Sequence, residues 1–219
     1  TLFKPIFRDL FIMDLSKKLW EDNLYLAEKS LQTKFVQNLK NGTLPKEKFQ
    51  LYIAQDYFFL ECFARSYGLA VYKAQDKKMI KQLSELLLGV SKELVLHDSY
   101  AEKWGINLNS NCIEPATKNY TDFLNEVSQK YNLIEIMCAM APCMRLYSWI
   151  GKSLRNDVTN NPYKEWIETY SNKSFENLAK TLENLIDISK QSSKGNNLNF
   201  FYKKAMVLEL EFFNAYSNF

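Results

Sequence analysis

Apolar side chains recur every three or four residues along almost the whole chain, the spacing that lines one face of an α-helix. Met13, Leu15, Leu19, Trp20, Leu24 and Leu26 open such a stripe, and the pattern carries it on to Leu39 as a first helix. It breaks at Asn41-Gly42-Thr43-Leu44-Pro45, where Gly suits a helix exit and Pro a first helical turn. A long helix is predicted over residues 46–73, which hold no Pro and one Gly, Gly68. Its run Phe58, Phe59, Leu60, Phe63 is apolar over a wide arc, as in a buried helix. Another fits 76–104, closed by Gly105 and an Asn/Ser-rich loop to Pro115. Further helices are predicted at 117–129, 133–154, 162–169, 175–190 and 200–216, with polar turns at 155–161 and 191–197. Pro142 falls inside the 133–154 segment, where it removes the N–H facing the Cys138 carbonyl and should kink the helix. No repeat and no biased linker divides the chain. The pattern predicts one all-α domain over residues 1–219, of seven to nine helices with negligible strand.

Composition narrows the class. At 219 residues, one domain is expected, and 6 Gly with 5 Pro are too few for an all-β sandwich or barrel. Aromatics make up 15% of the chain, enough to fill a core and line a pocket. With 28 Lys+Arg against 25 Asp+Glu, the net charge of +3 does not make a nucleic-acid surface. The four cysteines, Cys62, Cys112, Cys138 and Cys143, include no C-x-x-C pair, and His97 is the one histidine. A zinc site needs about four such ligands at short spacings, so no metal is expected. A chain of this length needs no disulfide, and free thiols in a cytoplasmic protein are the expectation. Lys4, Pro5, Arg8 and Asp9 interrupt any signal-peptide run at the start, and no stretch approaches 18 uncharged apolar residues, so no membrane span is expected.

Three places hold chemistry-bearing residues in apolar surroundings. Asp56 lies among Ala54, Phe58, Phe59, Leu60 and Phe63; it is either satisfied by Arg65 or a backbone group, or aimed into an aromatic pocket. Cys143 follows Pro142, where a kink could turn its thiol into a cavity; the plainer alternative is a small buried hydrophobe. Cys138, five residues earlier, lies about 140° round the helix and off that face. Of Glu209 and Glu211, one must point nearer the apolar face of the last helix. Glu93 and His97 share a helix face at i, i+4, read as a local hydrogen bond since one histidine cannot complete a ferritin-like di-metal site. Phosphate-binding Gly loops are absent.

These residues form an ordered pattern. The run from Phe35 to Pro45, Tyr52-Ile-Ala-Gln-Asp56-Tyr-Phe-Phe-Leu60, and Phe63-Ala-Arg65 resembles the amino-terminal half of the TenA/thiaminase II family. Glu93-x-x-x-His97, Pro115-Ala-Thr-Lys-Asn-Tyr120-Thr, Ala141-Pro-Cys143-x-x-x-Tyr147-x-x-Ile-Gly151, Tyr163-x-x-Trp166-Ile-x-x-Tyr170 and Glu209-x-x-Phe212 are similar to its later motifs. The match runs over about residues 13 to 216. The resemblance implies a haem-oxygenase-like helical fold, hydrolysis of thiamin or of aminopyrimidines derived from it, no metal or organic cofactor, and a homo-oligomer, tetramer or dimer. It implies Cys143 as nucleophile, Glu209 as proton donor and Asp56 as the carboxylate gripping the aminopyrimidine. Tyr120, Tyr147, Tyr170 and Phe212 match pocket positions that stack on or hydrogen-bond the ring. Where many members carry Tyr three residues after that Asp, this chain has Phe59, which keeps the wall and loses a hydrogen-bond partner for the sulfur. Arg145, two residues from Cys143, should face away from it. A non-catalytic pyrimidine-binding protein on the same fold is the alternative; a haem or non-haem-iron oxygenase is disfavoured by the single histidine.

Overall fold

The computed structural model describes residues 14–106, 108, 112–156, 158–190 and 197–217. The predicted turn at 191–197 and the charged start of the chain therefore fall largely outside the described residues. Nine helices and no strand are found among the described residues: α1 Leu15–Leu31, α2 Lys34–Asn41, α3 Lys46–Lys73, α4 Lys77–Trp104, α5 Pro115–Lys130, α6 Leu133–Leu154, α7 Lys164–Ser171, α8 Lys173–Ser189 and α9 Leu198–Ala215.

One expectation needs correction. The stripe read as a single helix over 13–39 is two helices, because Thr33 takes an extended conformation and its hydroxyl accepts from the Val36 N–H at 3.4 Å. A Thr inside an amphipathic stripe offers the backbone this alternative to continuing the helix. The exits at Gly42 and Gly105 are left-handed, with φ of 71° and 67°, a conformation that suits glycine. Asp76 caps α4 by accepting from Met79 N–H at 2.8 Å.

The most central helix is α6, which runs through Pro142 without interruption and is buried along most of its length. Helices α3, α5, α7, α8 and α9 pack around it, and α4 lies along α3. By length and composition α6 could cross a membrane, although Glu135, Arg145 and Lys152 interrupt it and leave no uncharged run of 18 residues. Some 83% of its most apolar window is instead buried among its neighbours, as in a core helix. Fully buried aromatics such as Phe35, Tyr52, Phe63, Tyr67 and Trp166 fill the space between helices. Each large apolar side chain removed from water contributes about 1.5–3 kcal/mol. Gly151 brings α6 unusually close to α7: a Cβ there would sit 2.6 Å from the Tyr170 carbonyl carbon and 2.7 Å from the Ser171 nitrogen. The absence of a side chain at Gly151 thus sets where Tyr170 stands.

Candidate active site

Six helices send side chains to one region. Asp56 and Phe59 come from α3, Glu93 and His97 from α4, Tyr120 from α5, Cys143 and Tyr147 from α6, Tyr170 from α7, and Glu209 and Phe212 from α9. Within each helix the spacing is three or four residues, which puts both members of a pair on one face.

Asp56 is 3% exposed, and its partner is His97, whose Nε2 lies 2.7 Å from Asp56 Oδ2. Arg65, weighed as a partner from the sequence, pairs instead with Glu61 on the surface. The other ring nitrogen of His97, Nδ1, lies 3.0 Å from the Glu93 carbonyl oxygen, which can only accept. Both nitrogens therefore face acceptors, the arrangement of an imidazolium against a carboxylate. Burial pulls the His97 pKa down, but the hydrogen bond and charge of Asp56, with the charge of Glu93, outweigh it and the balance is upward. Asp56 Oδ1 has no hydrogen-bond partner among the described residues, and Asp56 lines a cavity. It can accept from a ligand N–H there.

That cavity is lined by Asp56, Phe59, Glu93, Cys143, Tyr147 and Tyr170, together with Met144 and Phe175. Its volume is about 10 Å³, room for roughly one water. A ring-sized ligand would enter only as wall side chains give way, and Met144, unbranched and adaptable, is suited to that. The hydroxyl of Tyr52 donates to Tyr147 Oη at 3.3 Å and accepts from Trp166 Nε1 at 3.2 Å, and Tyr170 packs edge-on against Tyr147 at 4.9 Å between centroids. These contacts fix the aromatic wall.

Glu209, Tyr120 and Phe212 do not lie on the cavity surface. They stand one side chain away. Tyr120 donates its hydroxyl proton to Glu209 Oε1 at 2.8 Å and packs on Phe59 at 4.7 Å, while Phe212 packs on Tyr52 at 5.7 Å. Glu209 stands beside Cys143, and each shifts the other's titration. Burial raises the Glu209 carboxyl from 4.5 to about 8, with the Tyr120 hydrogen bond pulling it down and the Asp56 charge pushing it up. Glu211 is exposed. Burial also raises the Cys143 thiol well above its usual value, reinforced by the charges of Glu209, Glu93 and Asp56. At neutral pH the site therefore holds a neutral thiol beside a neutral acid. Cys138 faces Glu135 and Asp187 on the other side of α6. Arg145 pairs with Glu183 of α8, away from the cavity.

Sequence reasoning left His97 and Glu93 out of the site, reading only the local i, i+4 hydrogen bond. That bond exists, from Nδ1 to the Glu93 carbonyl. The ring's second nitrogen and the Glu93 carboxyl both reach residues of other helices, which local spacing does not reveal. The signal that could have found them was the coincidence of the sole histidine with a buried, otherwise unpaired Asp56.

An all-α bundle with carboxylates and a thiol gathered behind aromatic walls defines a haem-oxygenase-like fold carrying a small polar site. A solved domain of that fold from Shewanella denitrificans is similar in fold alone, at 15% identity, TM-score 0.75, covering 94% of this chain and 92% of that one. Residues 25–218 match the profile of the TENA/THI-4/PQQC family, and the chain belongs to that family. It is 33% identical over 182 residues to the aminopyrimidine aminohydrolase of Halalkalibacterium halodurans, covering 80% of this chain and 81% of that protein. It is 34% identical over 213 residues to the bifunctional TH2 protein, mitochondrial, of Arabidopsis thaliana, covering 85% of this chain. The match spans about a third of that protein's length, 34%. Among solved structures, a TenA homologue from P. horikoshii superposes with a TM-score of 0.84 at 26% identity, covering 93% of this chain and 98% of that one.

Proposed function

We propose that this chain is a cofactor-independent hydrolase of thiamin or thiamin-derived 4-aminopyrimidines, working by covalent addition and elimination at Cys143. The observation that carries this reading is the grouping of Cys143, the buried Glu209 and the Asp56–His97 pair within and beside one aromatic enclosure. The names of the similar aminohydrolases support the substrate class.

A 4-aminopyrimidine is flat and becomes electron-poor once a ring nitrogen is protonated. Tyr147, Tyr170 and Phe59 hold its faces and edges. Asp56 Oδ1 accepts from the exocyclic amino group, with His97 holding the carboxylate in place. Glu209, neutral at physiological pH, supplies the proton to the ring. The carboxylate so formed stands beside the thiol and takes its proton, which answers the difficulty of ionising a buried sulfur. Sulfur bonds to the ring carbon next to the substituted one, and the displaced electron pair is taken up on the protonated ring nitrogen. That pair then expels the leaving group from the exocyclic carbon. Water adds at that carbon, and sulfur departs with its bonding pair and recovers its proton.

A non-catalytic binder is the second reading, and the observation favouring it is the thiol itself, held protonated by burial and by the charges of Glu209, Glu93 and Asp56. Incubation with thiamin and with 4-amino-5-aminomethyl-2-methylpyrimidine, followed by mass identification of products, separates the two. The hydroxymethyl pyrimidine is the expected product of both substrates. Binding without turnover of either would establish the binder.

A further inference from the structure

Glu93, Met144 and Phe175 belong to two spaces at once. On one side they close the cavity beside Cys143 and Asp56. On the other they form part of a groove of about 440 Å³ between α4, α6, α7 and α8, lined by apolar Leu86, Val90, Leu96 and Leu178 together with Glu85 and Lys92. Glu93 is tied in place from two directions. Its Oε1 accepts from the Tyr170 hydroxyl at 2.5 Å, and its carbonyl accepts from His97 Nδ1 at 3.0 Å. Its second carboxyl oxygen has no hydrogen-bond partner among the described residues. The mechanism above leaves this carboxyl without a task.

We propose that the groove receives the leaving group and that Glu93, at its junction with the cavity, is the acid that protonates a departing amine. The inference rests on the hydrolase reading. Leaving groups differ in what they need. A thiazolium departs as a neutral thiazole with the electron pair of the broken C–N bond and requires no proton. An amine departing from its neutral form would leave as an amide anion unless protonated. In the step assigned here, the bond between the exocyclic carbon and nitrogen breaks, its electron pair goes to nitrogen, and the Glu93 proton goes with it. Neutral amine is released into the groove, and the carboxylate keeps the Tyr170 hydrogen bond until it takes up the proton that water gives up on adding at the exocyclic carbon. Burial first, and then the charge of Asp56, raise the Glu93 carboxyl from 4.5 to about 7 against the opposing pull of His97 and Tyr170, so it carries that proton in much of the population near neutrality. Glu209 already serves the ring nitrogen in the mechanism above, and it does not line the groove.

The test is Glu93→Gln, which preserves length and the acceptor for Tyr170 while removing the acid. It is assayed on 4-amino-2-methylpyrimidines carrying at the 5-methyl carbon ammonia, aniline or 4-nitroaniline, three leaving groups of falling basicity. The expected result is a kcat loss of roughly 10²-fold for the aminomethyl compound, a smaller loss for the anilino compound and little change for the nitroanilino one. A loss of equal size across the series would mean that Glu93 serves only to hold Tyr170 and His97, and would overturn the inference, as would no loss at all. Failure of the unaltered protein to accept either arylamine while hydrolysing the aminomethyl compound would overturn the groove's assignment. Inactivity of the unaltered protein on every member would remove the hydrolase reading and this one with it. Should Glu93→Gln fail to fold, Glu93→Ala with added formate serves: formate must restore turnover of the aminomethyl compound and leave that of the nitroanilino one unchanged.

Discussion

Replacing Glu209 by Gln tests the consequence of burying an acid beside a thiol. Glu209 is 1% exposed, and a Gln carbonyl would still accept the Tyr120 hydroxyl that now donates to Oε1 at 2.8 Å. In the folded protein the carboxyl titrates at about 8, against about 4.3 in an unfolded chain. Between those values the folded state keeps a proton that the unfolded chain releases. The associated stability is therefore fully present below about pH 4 and is lost as pH rises through 8. One pH unit inside that window corresponds to about 1.4 kcal/mol, so the loss from pH 5 to pH 8 is on the order of 4 kcal/mol. Gln has no proton to lose. Urea denaturation of both proteins at pH 5 and pH 8 should show the unaltered protein losing several kcal/mol more than the variant. Glu93, raised to about 7, contributes its own loss to both proteins and cancels in the comparison. Activity follows the same group: the variant should turn over roughly 10²-fold more slowly, and the fall in kcat above pH 8 due to Glu209 should disappear. Parallel loss of stability in the two proteins would show that Glu209 is ionised in the fold at neutral pH, and the proton-donor assignment would fall.

Three other substitutions probe the remaining parts. Cys143→Ser should fold normally and lose nearly all turnover, because a hydroxyl ionises far less readily than a thiol of reference pKa about 8.5; full activity would end the covalent mechanism. Phe59→Tyr offers the sulfur a hydrogen bond of about 1 kcal/mol, corresponding to roughly fivefold in rate. A melting curve run beside the assay detects the opposite outcome, a buried unpaired hydroxyl that lowers stability. Gly151→Ala puts a methyl against the backbone of Tyr170 and Ser171, which cannot yield as a side chain would, and should cost about 1–3 kcal/mol. It should also raise KM as Tyr170 is displaced, and a variant with unchanged melting and KM would contradict the close approach of α6 and α7.

Helix positions were legible wherever apolar period and punctuation agreed, as at Gly42, Gly105 and the α6 stripe. They failed at Thr33, where one hydroxyl overrode a continuing stripe. The amphipathic pattern also distinguished the buried and exposed members of the pair Glu209 and Glu211 only in principle; their burial against Tyr120 or solvent is a property of the packed bundle. Asp56 stood out through its aromatic neighbours, but its partner is 41 residues away on another helix, and no local rule connects them. The roles given to Cys143 and Glu209 came from resemblance; their shared titration is visible only in three dimensions.

The dispersal of the site over six helices ties substrate recognition to the integrity of the bundle. Asp56 on α3 and Tyr170 on α7 both line the cavity yet stand 114 residues apart in sequence, and whatever sits between them acts as a clasp joining segments that the backbone leaves far apart. Such a clasp opposes global unfolding by RT ln(1 + [L]/Kd), not merely the loosening of one lid. Mutations that loosen any of the six helices then erode affinity before they unfold the chain. Selection to keep the ligand and selection to stay folded act here on the same side chains.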